Sequence, residues 1–386
     1  MNSWMPVSIA ELCQRVTSGG TPRRDDPANY APATVPWIKT GDLRDGVIED
    51  YNEYISEAGV ASSAAKVLPA GTVLMAMYGA TVGRLGWMAS DATCNQAACA
   101  MIVDPTRASS RWLFYALLQS RDGLISLANG AAQQNLNSQI IKDFSLIAPP
   151  LAEQRAIAEV LGALDDKIAA NAKLIGNADH LAEVRYDALV AEEADARPLS
   201  SLASFVNGKA FTKDASGTGR VVIRIAELNS GLGGSTVYND IDVADQHLAR
   251  PGDLLFAWSG SLTVHRWYRP EAIVNQHIFK VVPTSTPKWA VNGALRRKLA
   301  EFKAIAADKA TTMGHIQRHH LDENVLIPTS SRLSAANDTM VALWDRALLA
   351  ERENRKLAEV RDALLPQLML GRIWVKDAER AVGEVV

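Results

Sequence analysis

The chain has 386 residues, more than one ordinary domain needs and enough for two or three. It is 48% hydrophobic and 22% charged, a globular composition. No apolar run is long enough for a membrane helix, the amino terminus has no secretory pattern, and three cysteines are too few for a disulfide framework. A cytoplasmic protein is expected, and its net charge of −3 counts against a simple nucleic-acid binder until the distribution is inspected. That distribution is uneven: −2 over residues 1–150, −5 over 151–197, +4 over 198–329 and 0 over 330–386, with six of the seven histidines in 198–329.

In chain order, residues 1–150 carry short apolar runs punctuated by glycine and proline. Thr72–Tyr78 predicts a strand and Arg111–Ala128 a helix. Pro149 and Pro150 then precede a long helical segment, as prolines commonly do at helix starts. In it Ile157, Leu161, Leu164, Ile168, Asn171, Ile175, Ala178, Ala182, Arg185 and Leu189 alternate four and three apart, the seam of a heptad coiled coil. Residues 197–329 return to the mixed pattern, with a strand at Leu254–Trp258 and a weaker helical stretch at Asn292–Lys309. After Pro328 a second seam follows: Leu333, Ala336, Met340, Leu343, Ala347, Ala350, Asn354, Leu357, Arg361 and Leu364.

The two halves are related by an internal duplication. Leu181-Ala-Glu-Val-Arg185 recurs as Leu357-Ala-Glu-Val-Arg361, an offset of 176. Ahead of it, Asn95-Gln96 matches Asn275-Gln276, Gly71–Leu74 matches Gly252–Leu255, Ile38 matches Ile223, and Leu12 and Val16 match Leu202 and Val206. The offset changes in one direction along the chain, as small deletions in the second copy would produce. Asn171 and Asn354 hold equivalent seam positions, and a buried Asn is tolerated where it fixes register, so the two helices are expected to pair with each other.

Several motifs carry a family resemblance. Phe144-Ser-Leu-Ile-Ala-Pro-Pro-Leu-Ala-Glu-Gln-Arg-Ala-Ile-Ala-Glu-Val-Leu161, with Leu164, Asp165, Ile168 and Asn171, resembles the central region of type I restriction-modification specificity subunits. Leu364-Leu-Pro-Gln-Leu368 with Gly371, Ser18-Gly-Gly-Thr-Pro22, Trp37-Ile38 with Thr40-Gly-Asp-Leu43, and Gly79-Ala-Thr-Val-Gly83 are similar to the same family. The likeness spans about residues 6–375. The second copy departs from it: Asn207-Gly-Lys-Ala-Phe211 replaces the Gly-Gly-Thr-Pro turn, and the Ala-Glu-Gln after the proline is lost.

The resemblance implies an α+β fold with pseudo-two-fold organisation. Two similar mixed α/β target-recognition domains are separated by two long helices that form an antiparallel coiled coil. The boundaries implied are recognition domains at 1–150 and 197–329, a central spacer helix at 151–196, a carboxy-terminal spacer helix at 330–372 and a tail at 373–386. It further implies a non-catalytic chain that binds double-stranded DNA, each domain reading one half of a bipartite site. Two adenine-methylating subunits holding S-adenosylmethionine would dock on the coiled coil, joined in some systems by two restriction subunits using ATP and Mg. No cofactor is expected on this chain itself, and no membrane partner.

Phosphate contacts call for Lys, Arg, small hydroxyls or free N–H groups, and base edges for Arg at guanine and Asn or Gln at adenine. In the first domain Thr21, Arg23 and Arg24 follow a Gly-Gly turn, with Asp25 and Asp26 beside them to neutralise the arginines. Lys39, Tyr78, Thr81 and Arg84 lie at strand ends beside glycines, and Gln133, Gln134 and Asn135 form an amide cluster suited either to adenine or to plain solvation. In the second domain the candidates are Lys209, Lys213, Arg224, Trp258, Ser259, His265, Arg266, His315, Gln317, Arg318, His319 and His320. Adjacent His319 and His320 lack a companion Cys or carboxylate set for zinc. Cys94 and Cys99, read as facing opposite sides of one strand, are assigned to structure, and the recurring Asn-Gln pairs to the fold rather than to base reading.

A catalytic alternative finds little support. Ala148-Pro-Pro-Leu151 lacks the polar and aromatic residues with which an adenine methyltransferase grips its base, and no phosphate-binding loop surrounds Gly208-Lys209. Asp165-Asp166-Lys167 lies on the heptad helix and reads as a solvated face. A scaffold with no DNA role would account for the architecture but not for the basic second domain.

Overall fold

The structure is a computed structural model, described over residues 4–128, 135–308 and 314–383. It divides into two compact units: residues 1–167 with 357–386, and residues 168–356. Helices and several small sheets together make it α+β.

The first unit is built on a five-stranded sheet in the order Cys13–Ser18, Ala98–Val103, Val73–Ala76, Leu85–Met88, Gly46–Ile48. Its pairs are antiparallel except the last, where Gly46–Ile48 runs parallel to Leu85–Met88. Val73–Ala76 is buried on both faces and reads as a continuous apolar run, which is why no alternation marks it in the sequence. A three-stranded sheet sets Val35–Ile38 between Tyr54–Ile55 and Thr93–Cys94. Helix Ser110–Gln119 buries Trp112, Leu113 and Phe114 through Leu117, with Ser109 capping its amino terminus through the Trp112 N–H. Cys94 and Cys99 belong to strands of different sheets rather than to one strand. Both are buried, and burial pushes both thiols up to about 12.

The second unit repeats this plan with four strands in each sheet instead of five and three. Ala203–Asn207, Ile278–Pro283, Leu254–Ala257 and Thr263–Arg266 form an antiparallel sheet. Val237–Asn239, Arg220–Ile223, Ala272–Val274 and Leu248–Ala249 form another, with a parallel pair between Arg220–Ile223 and Ala272–Val274. Helix Lys288–Asp308 takes the place of Ser110–Gln119 and buries Trp289, Leu295 and Phe302 against the first of these sheets. Each unit also has a two-stranded ribbon that leads into a long helix: Met5–Ser8 with Ser145–Ala148, and Ala194–Pro198 with Asn324–Pro328.

The long helices are Leu151–Glu192 and Ser330–Met369. The first one's start is built from the proline motif itself. Gln154 is 2% exposed; its amide oxygen accepts the Ser109 N–H at 3.1 Å and its NH2 donates to the Pro149 carbonyl at 2.9 Å. One side chain thus ties the helix start to the cap of helix Ser110–Gln119.

Within the first unit, the amino-terminal part of the first helix and the carboxy-terminal part of the second are antiparallel partners. Ile157, Leu161 and Leu164, with Leu357 and Leu364, are buried, and Arg361 donates to Asp165 at 2.8 Å. Burying each such Leu or Ile contributes about 1.5–3 kcal/mol. Tyr115 from the sheet-covering helix donates to the other oxygen of Asp165 at 2.5 Å.

Within the second unit, Asn171 is 4% exposed and donates to the Glu353 carboxylate at 2.7 Å, while Asn354 donates to the Ile168 carbonyl at 3.1 Å. Ala178, Leu189, Ala336, Met340, Ala347 and Ala350 are buried, and Ile168, Ile175, Ala182, Leu333 and Leu343 partly so. Arg185 is a correction: it is exposed, and Tyr186 is buried in its place, its hydroxyl donating to the Leu326 carbonyl at 3.0 Å. Between Ala182 and Leu189 the steps are four and then three residues, not three and then four, and both spacings keep a residue on the same helix face.

Candidate nucleic-acid interface

In each unit one end of the main sheet is assembled by the same set of backbone hydrogen bonds. In the first unit the Met77 N–H donates to the Ala97 carbonyl at 2.8 Å and the Leu136 N–H to the Met77 carbonyl at 2.9 Å. In the second the Trp258 N–H donates to the His277 carbonyl and the Ile316 N–H to the Trp258 carbonyl, both at 3.1 Å. The Asn95 N–H meets the Ile38 carbonyl at 2.9 Å, and the Asn275 N–H meets that of Ile223 at 3.2 Å. The recurring Asn thus belongs to the frame of the fold. Glycine allows the closest approaches: a Cβ at Gly19 would lie 1.9 Å from the Cys94 carbonyl oxygen, and one at Gly208 2.1 Å from that of Asn275. The frame brings together the Gly-Gly turn, the strand end at Met77–Tyr78 and the segment at Asn135. In the second unit it brings together Asn207–Lys209, Trp258–Ser259 and His315.

The side chains on this common frame differ. In the first unit Thr21 is exposed and its hydroxyl donates to the Gln96 amide oxygen. Arg23 pairs with Asp25 at 2.8 Å, both well exposed, which is the local neutralisation expected there. Arg24 lies 5.2 Å from the ring centres of both Tyr30 and Trp37 and reaches Glu53 at 3.3 Å. Lys39 also pairs with Glu53, whose carboxyl the Lys39 ammonium holds below its ordinary range. Tyr78 is exposed, Thr81 is half-buried in the turn, and Arg84 shares Asp45 with Arg121. Asn135 is exposed; Gln133 and Gln134 lie outside the described residues.

In the second unit Lys209, Lys213, Gln317, Arg318 and His319 are exposed. Trp258 is half-buried, packed against His277 at 5.3 Å and His315 at 6.3 Å between ring centres. Ser259 is buried and bridges by its backbone to His315. Four candidates are corrected. Arg224 stands at the start of helix Ile225–Ser230, where its guanidinium donates to the Glu227 carboxylate and to the Ser235 carbonyl, both at 2.6 Å, and is already committed. His320 is 7% exposed and its Nδ1 accepts the Gln317 N–H at 2.8 Å.

Arg266 is 5% exposed, holds Asp179 and Glu351 of the long helices at 3.0 and 2.8 Å, and lies over the Trp344 ring at 4.8 Å. His265 beside it is pushed down to about 4 by burial and by the neighbouring arginines. The reason is hairpin geometry. Leu254–Ala257 runs towards Trp258 and Thr263–Arg266 runs back, pairing Arg266 with Leu254. Residues close in sequence therefore sit at opposite ends of the sheet. Sequence reading also passed over Asn207 and His277, whose roles depend on what they meet across strands. No cluster of metal-ligating side chains occurs among the described residues, and no described helix is long and apolar enough to cross a membrane.

Comparison with known proteins agrees with this architecture. Residues 1–177 match the family model of the type I restriction modification DNA specificity domain. The type I restriction enzyme EcoR124I/EcoR124II specificity subunit of Escherichia coli is 25% identical over 153 residues, 38% of this chain. The chain thus spans little more than a third, 37%, of that relative's length. The crystal structure of the type I restriction-modification S subunit from M. genitalium aligns with a TM-score of 0.65 at 16% identity, covering 95% of this chain and 96% of that one. The HsdS subunit from Thermoanaerobacter tengcongensis, also 16% identical, aligns over 97% and 98% of the two chains with a TM-score of 0.37. Residues 1–177 thus match a type I restriction modification DNA specificity domain, and the whole chain shares the fold of the M. genitalium S subunit.

Proposed function

We propose that this chain selects the DNA sequence on which a type I restriction-modification complex acts. The observation that carries the reading is the strand-end frame: the same backbone bonds recur in both units while the side chains on them differ. A duplicated scaffold with divergent polar tips suits a reader of two different half-sites in double-stranded DNA. Each unit then reads one half of a bipartite sequence. The paired long helices set the spacing between the halves and dock two methyltransferase subunits, and the chain itself is not catalytic.

S-adenosylmethionine belongs to the methyltransferase partners, and ATP with Mg to two restriction subunits where these are present. Such a complex works in the cytoplasm. With net −2 on residues 1–150, the isolated chain neutralises few phosphates, so the partners supply much of the positive clamp. The test is co-expression with the cognate methyltransferase subunit and mapping of methylated adenines. One asymmetric bipartite motif that disappears without this chain is expected; methylation by this chain alone would overturn the reading.

A further inference from the structure

The Trp258 indole N–H donates to the Asn207 Oδ1 at 2.9 Å. An indole N–H only donates, so the atom it meets must be the amide oxygen, and the Asn207 amide is held in one of its two orientations. Trp258 is itself braced by Phe279, 5.8 Å away between ring centres, and by His277. Asn207 closes strand Ala203–Asn207 opposite Phe279, is only half-buried, and its NH2 group makes no hydrogen bond to the described residues. Exposed Lys209 follows two residues later. The side chain thus presents an unengaged donor beside an oxygen with a lone pair to spare, the combination with which an Asn meets N7 and the N6 amine of adenine. In the first unit the same register position, opposite Cys99, is Ser18, and Met77 stands where Trp258 does, so the device exists in one unit alone.

We infer that Asn207 reads an adenine in the half-site of the second unit, and that Trp258 is a positioning residue that orients its amide. This rests on the DNA-reading function proposed above. The experiment uses the full chain in complex with its methyltransferase subunit, and competes duplexes carrying every single base change in the methylated motif. Asn207→Ala is expected to lower discrimination about 10- to 100-fold at one A·T pair, in one half-site only. Trp258→Phe keeps a ring but removes the N–H, and is expected to relax the same base pair by a smaller factor. Asn207→Asp keeps the bond to Trp258 and replaces the donor with an acceptor, and is expected to shift preference at that pair towards cytosine. Unchanged discrimination, or a loss spread evenly over both half-sites, overturns the inference while the parent protein still binds its motif. Absence of any bipartite motif with the parent protein overturns the underlying reading and the inference together.

Discussion

Replacing Arg266 with methionine keeps the apolar stem and removes the guanidinium. Four hydrogen bonds to Asp179 and Glu351, at 2.8 to 3.3 Å, are lost with it. The two carboxylates fare differently. The Asp179 side chain is 40% exposed and recovers water readily, whereas that of Glu351 is 15% exposed and would be left as a buried charge. Burial already raises the Glu351 carboxyl, and Arg266 is the main group opposing this, with Arg296 behind it. Breaking a buried pair by removing one partner costs about 3–5 kcal/mol, and the exposure of Asp179 places Arg266→Met near the lower end, about 3 kcal/mol. At about 2–4 °C per kcal/mol for a unit of this size, the second unit should melt about 6–12 °C lower. Adding Glu351→Gln should recover most of that loss, because no buried charge remains uncompensated. Thermal and urea denaturation of the two single variants and the double variant measure the coupling as a double-mutant cycle. A cost below about 1 kcal/mol combined with weakened DNA binding would refute the reasoning and return Arg266 to the DNA interface.

Two other outcomes follow from buried groups. The folded-state pKa of His265 is depressed to about 4 and that of buried His247 is also lowered, each chiefly by desolvation, so below their unfolded value near 6.5 the unfolded chain takes up protons that the native one does not. Stability of the second unit should be fully present above about pH 6.5 and fall as pH drops towards 4. His265→Gln should flatten the slope in melts recorded between pH 4.5 and 7, and an unchanged slope would contradict the assignment. Gln154→Ala should cost about 1–3 kcal/mol by stripping the Ser109 N–H and the Pro149 carbonyl of their buried partner, measured as a fall in the first unit's urea midpoint.

The heptad seam was legible because a helix buries residues by local periodicity alone: Ile157, Leu161 and Leu164 declare themselves by spacing, and all are buried. Arg185 escaped because steps of three and four residues both return to the same helix face, so spacing alone did not separate it from Tyr186. The proline-glutamine motif was visible as a pattern, but the physical task of Gln154 was not, since Ser109 lies 45 residues away. Among the interface candidates, charge and residue type were readable and direction was not. Lys209, Lys213 and Arg318 are exposed, whereas Arg224 and Arg266, of the same chemistry, are held by carboxylates.

What the sequence determined by itself is the duplication, the α+β alternation and the two long helices, because each of these is written in local periodicity and in register between the two halves. Only the tertiary structure decided which polar groups gather at a sheet end and which are buried behind it. That choice depends on cross-strand register: Arg266 lies opposite Leu254 at the far end of its hairpin, and the orientation of Asn207 is set by an indole 51 residues away. Contacts of that range leave no periodic trace along the chain.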